Sequence, residues 1–600
     1  MHTLAALLLT ASMAAGLAGL GDLLRGRSGA DRWVRGWTLL WWVVALAGQL
    51  AGPWPAVVGG FTVLAVGCVR AALRLRKPVG TLVAYTVATG AGGLLWLAPP
   101  FFYDTLVYHL GLPWSWLTNG GFGTVAHNTF SHFPLAGQTV FLLPVALGLP
   151  EAAAGLHWIT FLVTLGALAR VAGNLGAGRW RWLAPALFAA CWHAPWIAGL
   201  AAVDHLVVLG VVASVQLLTE PRGEGGVDWV GVGAAWGLAL ASKYQGALPA
   251  AAVGVAALVA CGRARLRLLL AGAVALGASS FWWIRNVVET GNPVFPLLWN
   301  VLGGSGWSLR DDQRYQALVR EGVQGGTFQA ALVRLVVPPE GLGWWFLLAV
   351  PLALAALLRR GEAEVRVRLV GVAIALASAV WVLSSQTTRY ALPVAALMAA
   401  LAAAGVAGLG RWPARLAACV LGLALAHGGL TLGVFLTGTL RLGALRAGTL
   451  TAEAWRAGLT VDDPLPAYRA CGGLLPADAR VLVVGEGRPW GCPRPHHASS
   501  PYDTQLAQEM VERAADAGAV ASRVHAEGFT HLLISWSELE RLGGPDYRVM
   551  RFEDPRAGGR WSSFLASCTS PVWREGALEI RALQVGCAAV PGRGGEAPER

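Results

Sequence analysis

The chain has 600 residues, of which 55% are hydrophobic and only 13% charged, and it contains 28 tryptophans. Its mean hydropathy of +0.53 excludes an ordinary soluble protein and predicts a polytopic membrane protein. The formal net charge of +12 lies mostly in short connections between apolar runs, which is the positive-inside pattern. The charge is therefore no reason to expect a nucleic-acid partner.

Apolar runs long enough to span a membrane recur from residue 3 to about residue 440, after which the composition becomes that of a soluble domain. No basic segment precedes the first run and further runs follow it, so we interpret it as a helix rather than a signal peptide. We predict an α-helical polytopic membrane protein with additional transmembrane helices over 1–78, a membrane domain over 79–440 and a small extracytoplasmic α/β domain over 441–600.

Arginine-rich loops follow the apolar runs that end near residues 24, 72, 172, 261 and 358. The positive-inside rule places these loops in the cytoplasm. Threading the other runs between them, among them one at about 182–201, gives roughly fourteen spans with both termini outside. The fourth span, at about 79–98, then runs outward. The segment 136–149 is short and contains proline, so we predict an interfacial or re-entrant helix there.

In this topology the large loops 99–135 and 285–340 are extracytoplasmic, and polar residues that were not used to set the orientation fall at or near the same face. A charged side chain costs on the order of 3 kcal/mol at the bilayer centre, so it usually has a partner or a task. These residues are Asp104, His109, Asp204, His205, Lys243, Arg285, Asn286 and Arg389.

Asp104 follows directly after an apolar run, in the aromatic and His-rich loop that begins at residue 99. A carboxylate at this position could act as a general base toward an acceptor at the membrane surface. It could equally be a helix cap, since Asp is a favoured capping residue. His127 and His132 could be metal ligands, but we interpret them as surface or interfacial histidines.

Three basic residues, Lys243, Arg285 and Arg389, end predicted spans on the outer side. Their donors suit phosphate oxygens, and together they predict an anionic lipid headgroup as ligand. The alternative for each is snorkelling to the interface or an ion pair with a carboxylate. The available carboxylates are Asp204, Asp311 and Asp312.

The C-terminal part has a buried-strand pattern at 480–484, a helical pattern at 504–525 and a second strand pattern at 530–535, so we predict a βαβ unit. The glycine turn at 485–488 lacks a third glycine and is followed by Pro489, so we do not expect nucleotide binding. In an oxidising compartment the even number of cysteines predicts one or two disulfides, with zinc as the rival interpretation. The cysteines are Cys471, Cys492, Cys568 and Cys587.

The order of the short polar motifs resembles that of a known superfamily. The motifs are YDTLVYH (103–109), SHFP (131–134), GLALASKY (237–244), WIRN (283–286), TGNPVFP (290–296) and TRYALP (388–393). They resemble the GT-C superfamily of membrane glycosyltransferases, and within it bacterial relatives of the protein O-mannosyltransferases and of the lipid A aminoarabinose transferases. The resemblance covers about residues 79–440, which leaves the first three spans as an addition before the family core.

This resemblance implies an inverting transferase of the inner (cytoplasmic) membrane that passes a sugar from a polyprenyl-phosphate carrier to a lipid, glycan or protein acceptor outside. It implies that Asp104 is the base, that Arg285, Lys243 and Arg389 hold the carrier phosphate, and that no cofactor is used. Further substrate-site candidates are Tyr108, His109, His132, Asp204 and Asn286. Thr105 stands where relatives commonly carry a second acidic residue, so we predict no required metal, and the question of a divalent ion stays open.

Two other classes of function compete with the transferase. A transporter or flippase for a lipid-linked or anionic substrate could use the same cations, but it should carry charges deep in its spans and paired internal repeats, and no clear repeat is visible. A non-catalytic assembly protein would bind a partner through its C-terminal domain and would tolerate loss of every polar residue named above.

Overall fold

The computed structural model describes residues 1–74, 92–221, 226–260, 265–321, 342–545, 547–584 and 587. Within these ranges the chain forms a large helical domain followed by a small domain with a five-stranded sheet. The predicted class, a helical membrane protein with a small C-terminal α/β domain, is confirmed.

The helical domain contains helices of very different length. They are α1 (His2–Leu23), α2 (Gly29–Ala51), α3 (Pro53–Arg74), α4 (Gly92–Leu95), α5 (Gly111–Asn119), α6 (Ala136–Ala146), α7 (Glu151–Asn174), α8 (Leu183–Ala190), α9 (His193–Ala198), α10 (Asp204–Thr219), α11 (Trp229–Ser242), α12 (Ala247–Ala260), α13 (Arg265–Thr290), α14 (Trp299–Leu302), α15 (Leu309–Glu321), α16 (Trp345–Leu358), α17 (Glu364–Leu383), α18 (Leu392–Gly408) and α19 (Arg411–Val434). Among the described residues, 7 helices are long and apolar enough to cross a membrane, and several apolar helices are shorter. The count of roughly fourteen spans therefore stays a prediction, and most of the span predicted at 79–98 lies outside the described residues.

The span predicted at about 182–201 is wrong in detail, because two short helices, α8 and α9, occupy that segment. Cys191 ends α8 with extended backbone angles (φ −64°, ψ 92°). Pro195 lies in the first turn of α9, where its missing N–H costs least. The chain therefore breaks between two apolar pieces that hydropathy alone joins into one.

The segment predicted to be interfacial or re-entrant forms α6, which has 11 residues. Every residue from Ala136 to Val145 is buried, and α6 packs against α2, α5 and α7. A helix lying on the membrane surface exposes one face, whereas α6 is buried on all sides by protein; its depth in the membrane stays a prediction. A short buried helix fits the re-entrant alternative.

Arginines and carboxylates gather at one end of the helical domain. Arg35 pairs with Asp31 (2.8 Å) and with Asp228 (2.6 Å), and Arg70 pairs with Asp22 (2.7 Å). These pairs bring together ends of α1, α2, α3 and α11, which the topology had assigned to one face. Asp104, Lys243 and Arg389 lie together away from these pairs, around one cavity.

Helices α1 and α3 approach each other through glycines. A Cβ placed on Gly67 would lie 2.1 Å from the carbonyl oxygen of Gly16, and one placed on Gly19 would lie 1.8 Å from the carbonyl oxygen of Gly67. Small residues allow such close contact between backbones, and in a membrane this packing stabilises helix pairs.

The C-terminal domain is built on strands and short helices, and a disulfide joins Cys568 to Cys587, while Cys471 and Cys492 are free. The strands are β1 (Val481–Val484), β2 (His496–Ala498), β3 (His531–Ser535), β4 (Thr569–Glu575) and β5 (Leu578–Leu583), in the order β2-β1-β3-β5-β4. The helices are α20 (Leu442–Arg446), α21 (Ala452–Ala457), α22 (Leu465–Leu474), α23 (Leu506–Glu512), α24 (Ala517–Ala526), α25 (Trp536–Leu542) and α26 (Pro555–Cys568).

Strands β1 and β3 run parallel and are joined through helices, so the predicted βαβ unit is confirmed. The single helix predicted over 504–525 is wrong, because α23 and α24 replace it. Asp516 accepts a hydrogen bond from the backbone N–H of Ala519 (2.8 Å) and so caps a new helix start. The prediction from apolar periodicity took no account of this capping residue, which divides the segment into two helices.

We expect Gly67→Ala to destabilise the helical domain, because the added methyl group must push α1 and α3 apart. Overpacking of this kind costs about 1–3 kcal/mol, more than the gain of up to about 1 kcal/mol in helix propensity. Gly59→Ala on the same helix is the matched control, since its Cβ would meet nothing nearer than 3.8 Å. Thermal unfolding in detergent measures both variants, and equal melting temperatures would contradict the packing account.

Candidate active site

A cavity of about 720 Å³ lies where the helical domain, the loop after α4 and the C-terminal domain meet. Helices α12 and α17 contribute apolar wall residues, among them Leu248, Val380 and Trp381. Asp104, Lys243 and Arg389 face the same space. The cavity therefore combines an apolar wall with charged groups.

Asp104 stands directly before a π-helical turn, Thr105–His109, in which the N–H of Leu110 bonds to the carbonyl of Thr105 (2.8 Å). Its side chain makes no capping hydrogen bond, so the capping alternative is wrong. The carboxylate accepts hydrogen bonds from Arg389 Nη1 (2.7 Å) and from Tyr108 Oη (3.2 Å), both at Oδ2. The other oxygen, Oδ1, makes neither bond.

The charge state of Asp104 follows from opposing effects. Burial raises the pKa of its carboxyl group, but the Arg389 guanidinium, helped by the Lys243 ammonium, outweighs burial and holds the pKa below its usual value. The side chain is 21% exposed. Asp104 is therefore an ionised carboxylate that a molecule in the cavity can reach.

Lys243 pairs with Asp204, as the ion-pair alternative predicted, with Nζ 3.1 Å from Oδ1. Asp204 begins α10 and is only 4% exposed. The Lys243 ammonium also lies 4.8 Å from the centre of the Tyr390 ring. Asp204 and Tyr390 together fix the position of the ammonium group at the cavity wall.

Arg389 and Lys243 keep most of their donors unused. A guanidinium has five N–H groups and an ammonium three, and each side chain makes one hydrogen bond to the described residues, to Asp104 and Asp204 respectively. Both side chains line the cavity. Apart from the buried Arg389 Nε, the remaining donors can bind an anion there.

Arg285, Asn286 and His132 lie outside the cavity lining. Arg285 Nη2 donates to the carbonyl of Phe133 (3.3 Å), and Asn286 Nδ2 donates to the carbonyl of His132 (2.9 Å). Arg285 Nη2 also donates to Asn286 Oδ1 (3.1 Å). These bonds hold the Phe-Pro segment against α13, so the predicted substrate contacts of the three residues stay predictions.

His109 is buried next to the site, and its Nδ1 lies 2.9 Å from Gln138 Nε2. Burial lowers its pKa to about 3, so the ring is neutral. His127 lies at the domain junction instead, with Nδ1 3.0 Å from the carbonyl of Thr504. Within the described ranges no three His, Cys, Asp or Glu side chains are grouped as metal ligands.

Residues of the C-terminal domain also line the cavity, and sequence patterns did not indicate them: Arg488, Tyr502, Glu538, Arg541 and Tyr547. Arg488 ends the glycine turn that was assessed for nucleotide binding, and its guanidinium makes a double hydrogen bond with Glu486 (2.7 and 2.6 Å). Both side chains are fully buried. The available signal was a Glu and an Arg placed directly after a buried strand.

Fold and site together define a helical membrane protein with an ionised carboxylate and two cations in a cavity beneath a second domain. No family model and no curated protein matches the chain.

Three solved structures are similar to it. ArnT from Cupriavidus metallidurans, bound to undecaprenyl phosphate, is 14% identical over 86% of this chain and 100% of that chain, with a TM-score of 0.49. The archaeal oligosaccharyltransferase AglB from Archaeoglobus fulgidus, in complex with an inhibitory peptide and a dolichol-phosphate, is 12% identical over 77% of this chain and 70% of that chain (TM-score 0.44). The arabinofuranosyltransferase AftD from Mycobacteria is 14% identical over 84% of this chain and 40% of that chain (TM-score 0.41).

All three are GT-C membrane glycosyltransferases, the superfamily that the motif order resembles. The likeness concerns the general fold.

We expect the domain junction to weaken as the pH rises from about 4 to about 6. Asp503 accepts a hydrogen bond from the N–H of Thr129 (2.9 Å), and burial raises its pKa from 3.8 to about 6. The folded state therefore binds the proton more tightly than the unfolded state, so the stabilisation is complete below pH 3.8 and is lost as the pH passes 6.

Asp503→Asn should remove this dependence, because the amide stays neutral. The exposed Asp478→Asn is the control. Melting temperatures between pH 4 and 7 measure the effect, which we expect to be on the order of a few degrees. A wild-type profile that is flat, or that rises with pH over this range, would contradict the assignment.

Proposed function

We propose that this chain is a glycosyltransferase that moves a sugar from a polyprenyl-phosphate carrier to an acceptor at the extracytoplasmic face of the inner (cytoplasmic) membrane. The observation that carries the proposal is the placement of Asp104, Lys243 and Arg389 around one cavity. Such a reaction needs a base for the acceptor and positive charge for a phosphate leaving group, and these three residues supply both.

An isoprenoid phosphate matches the two kinds of surface in the cavity. Its phosphate would lie against the unused donors of Lys243 and Arg389, and its hydrocarbon against the apolar wall from α12 and α17. Charge-assisted hydrogen bonds to phosphate are the strong ones. A soluble sugar nucleotide would gain nothing from the apolar wall, which favours a lipid carrier.

In the proposed reaction the acceptor attacks C1 of the sugar as the bond from C1 to the phosphate oxygen breaks. The acceptor proton passes to Oδ1 of Asp104, the oxygen that Arg389 and Tyr108 do not occupy. A carboxylate with a low pKa is a weak base, but the acceptor becomes acidic as its new bond forms, so a late proton transfer suffices. Attack opposite the leaving group inverts the configuration.

Lys243 and Arg389 stabilise the charge that develops on the departing carrier phosphate. Asp204 touches only Lys243 in this scheme and acts as a positioning residue. The scheme does not require Arg285 and Asn286 at the phosphate; their side chains donate to the carbonyls of Phe133 and His132. The scheme uses no metal ion.

Asp104→Asn should lower sugar transfer by about 10² to 10⁴-fold, because the amide cannot accept the proton. Radiolabelled transfer from synthetic polyprenyl-phosphate sugars in nanodiscs measures the loss. Asp31→Asn is the matched control, because it breaks a similar buried Asp–Arg pair away from the cavity, and it should retain transfer. Near-normal turnover in Asp104→Asn would refute the role of the base, and carrier binding without any turnover in wild type would favour the flippase.

Arg389→Gln and Lys243→Gln should weaken binding of a polyprenyl phosphate by about 10 to 100-fold, since each removes charged hydrogen bonds. Arg285→Gln removes a more deeply buried cation. It should lower the melting temperature but leave the affinity of the folded protein within about threefold, because Arg285 Nη2 donates to oxygens of Phe133 and Asn286. Native mass spectrometry of the lipid complex measures the three affinities. If Arg285→Gln weakened binding more than the other two variants did, Arg285 would be the residue that holds the phosphate.

A further inference from the structure

The C-terminal domain forms one side of the cavity, and this side offers a different chemistry from the membrane side. Four aromatic rings in contact with one another extend from the proposed catalytic carboxylate to Tyr502 of that domain and on to Tyr315 of α15, and we call them the aromatic wall. The wall consists of Tyr108, Phe130, Tyr502 and Tyr315, all of which line the cavity.

Successive rings of the aromatic wall are in contact. Ring centres are 4.7 Å apart from Tyr108 to Phe130, 5.2 Å from Phe130 to Tyr502 and 5.5 Å from Tyr502 to Tyr315. The wall begins at the reacting group, since Tyr108 donates its hydroxyl hydrogen to Asp104. The successive ring planes make angles of 10°, 52° and 82°, so the wall is an uneven aromatic lining that begins beside the base.

Two polar residues on the C-terminal side of the cavity form a neutral pair. Arg541 Nε and Nη2 donate to the two oxygens of Glu538 (2.9 and 2.5 Å). Glu538 is buried, but the Arg541 side chain is 42% exposed, so part of its guanidinium faces the cavity. The pair offers both donors and acceptors and carries no net charge.

Arg488 adds no free charge to this side. Its guanidinium donates to Glu486 and to the carbonyls of Val461 and Asp462 (both 2.9 Å). These contacts use four of its five N–H groups. Arg541 keeps donors beyond its two bonds to Glu538, but its charge is already balanced by that carboxylate.

A ligand with apolar flat faces and neutral hydroxyl edges fits this surface. Sugar rings have this character, because their C–H faces pack on aromatic rings while their hydroxyls both donate and accept hydrogen bonds. A phosphorylated or uronic-acid acceptor would bring a second negative charge into a cavity where the proposed carrier phosphate already occupies Lys243 and Arg389, at a desolvation cost.

We propose that the acceptor is a neutral glycan that lies along the aromatic wall, with its hydroxyls on the Glu538–Arg541 pair. The inference rests on the proposed function and names its acceptor class. The glycan hydroxyl nearest Asp104 forms the bond to C1 of the donor sugar and gives its proton to Oδ1, and the carrier phosphate leaves with the electron pair of the broken bond.

The test uses the full chain in nanodiscs and saturation-transfer NMR with three probes: neutral oligosaccharides, uronic-acid oligosaccharides of equal length, and unglycosylated peptides containing Ser and Thr. Arg541→Lys keeps the charge but loses the planar double hydrogen bond to Glu538. Because residue 541 is exposed, we expect this variant to fold. Glu540→Gln, exposed on the same helix, is the matched control.

We expect the neutral oligosaccharides to bind best, with an affinity about tenfold lower in Arg541→Lys and unchanged in Glu540→Gln. Tighter binding of the uronic-acid or peptide probes, or neutral binding that Arg541→Lys does not alter, would overturn the inference. Because this experiment measures binding, it can show that no glycan binds at the aromatic wall even if sugar transfer that depends on Asp104 is observed. That result would contradict the glycan site but not the proposed transferase. Glycan binding without any donor turnover would instead support the site and defeat the proposed transferase.

Discussion

The ion pair between Asp104 and Arg389 is the interaction on which the site depends. It joins side chains 285 positions apart in sequence, one in the loop after α4 and the other at the start of α18. Neither charge could lie at the edge of an apolar domain without a partner, because breaking a buried pair leaves an uncompensated charge at a cost of about 3–5 kcal/mol. The pair therefore fixes the loop to the helices and keeps both groups ionised.

The same pair sets the chemical character of the cavity. Arg389 makes Asp104 a weaker base than a free carboxylate but guarantees that it carries no proton, and it leaves most of its own donors to a ligand. Lys243 and Asp204 repeat this arrangement next to it. A phosphate that binds between the two ion pairs replaces part of the attraction within each pair. No charge is then left buried without a partner.

The second domain is held over the cavity by backbone geometry as well as by charge. Asn119 of α5 donates to the carbonyl of His496 and accepts from its N–H, both at 2.9 Å. A side-chain amide thus pairs with the edge strand β2 as a neighbouring strand would, which covers an otherwise open sheet edge. Arg310 adds ion pairs with Glu512 and Glu553. These contacts make the domain a wall of the site.

Much of this architecture could be predicted, because hydropathy and the positive-inside rule depend on local composition. The βαβ unit and the gathering of Asp104, Lys243 and Arg389 followed from such patterns. Individual side-chain contacts did not: hydropathy places Arg285 at the end of a span, but it does not show that the guanidinium donates to the carbonyl of Phe133. The contribution of Arg541 depends on contacts between domains, which no local pattern contains.

The central claim, that the cavity holds a lipid phosphate between Lys243 and Arg389 beside an ionised carboxylate, is tested most directly by cryo-electron microscopy of the protein in nanodiscs with a polyprenyl phosphate. We predict phosphate density within hydrogen-bonding distance of Lys243 Nζ and the Arg389 guanidinium, with the hydrocarbon along α12 and α17. Phosphate density at Arg285 instead, or an empty cavity at saturating lipid, would contradict the account.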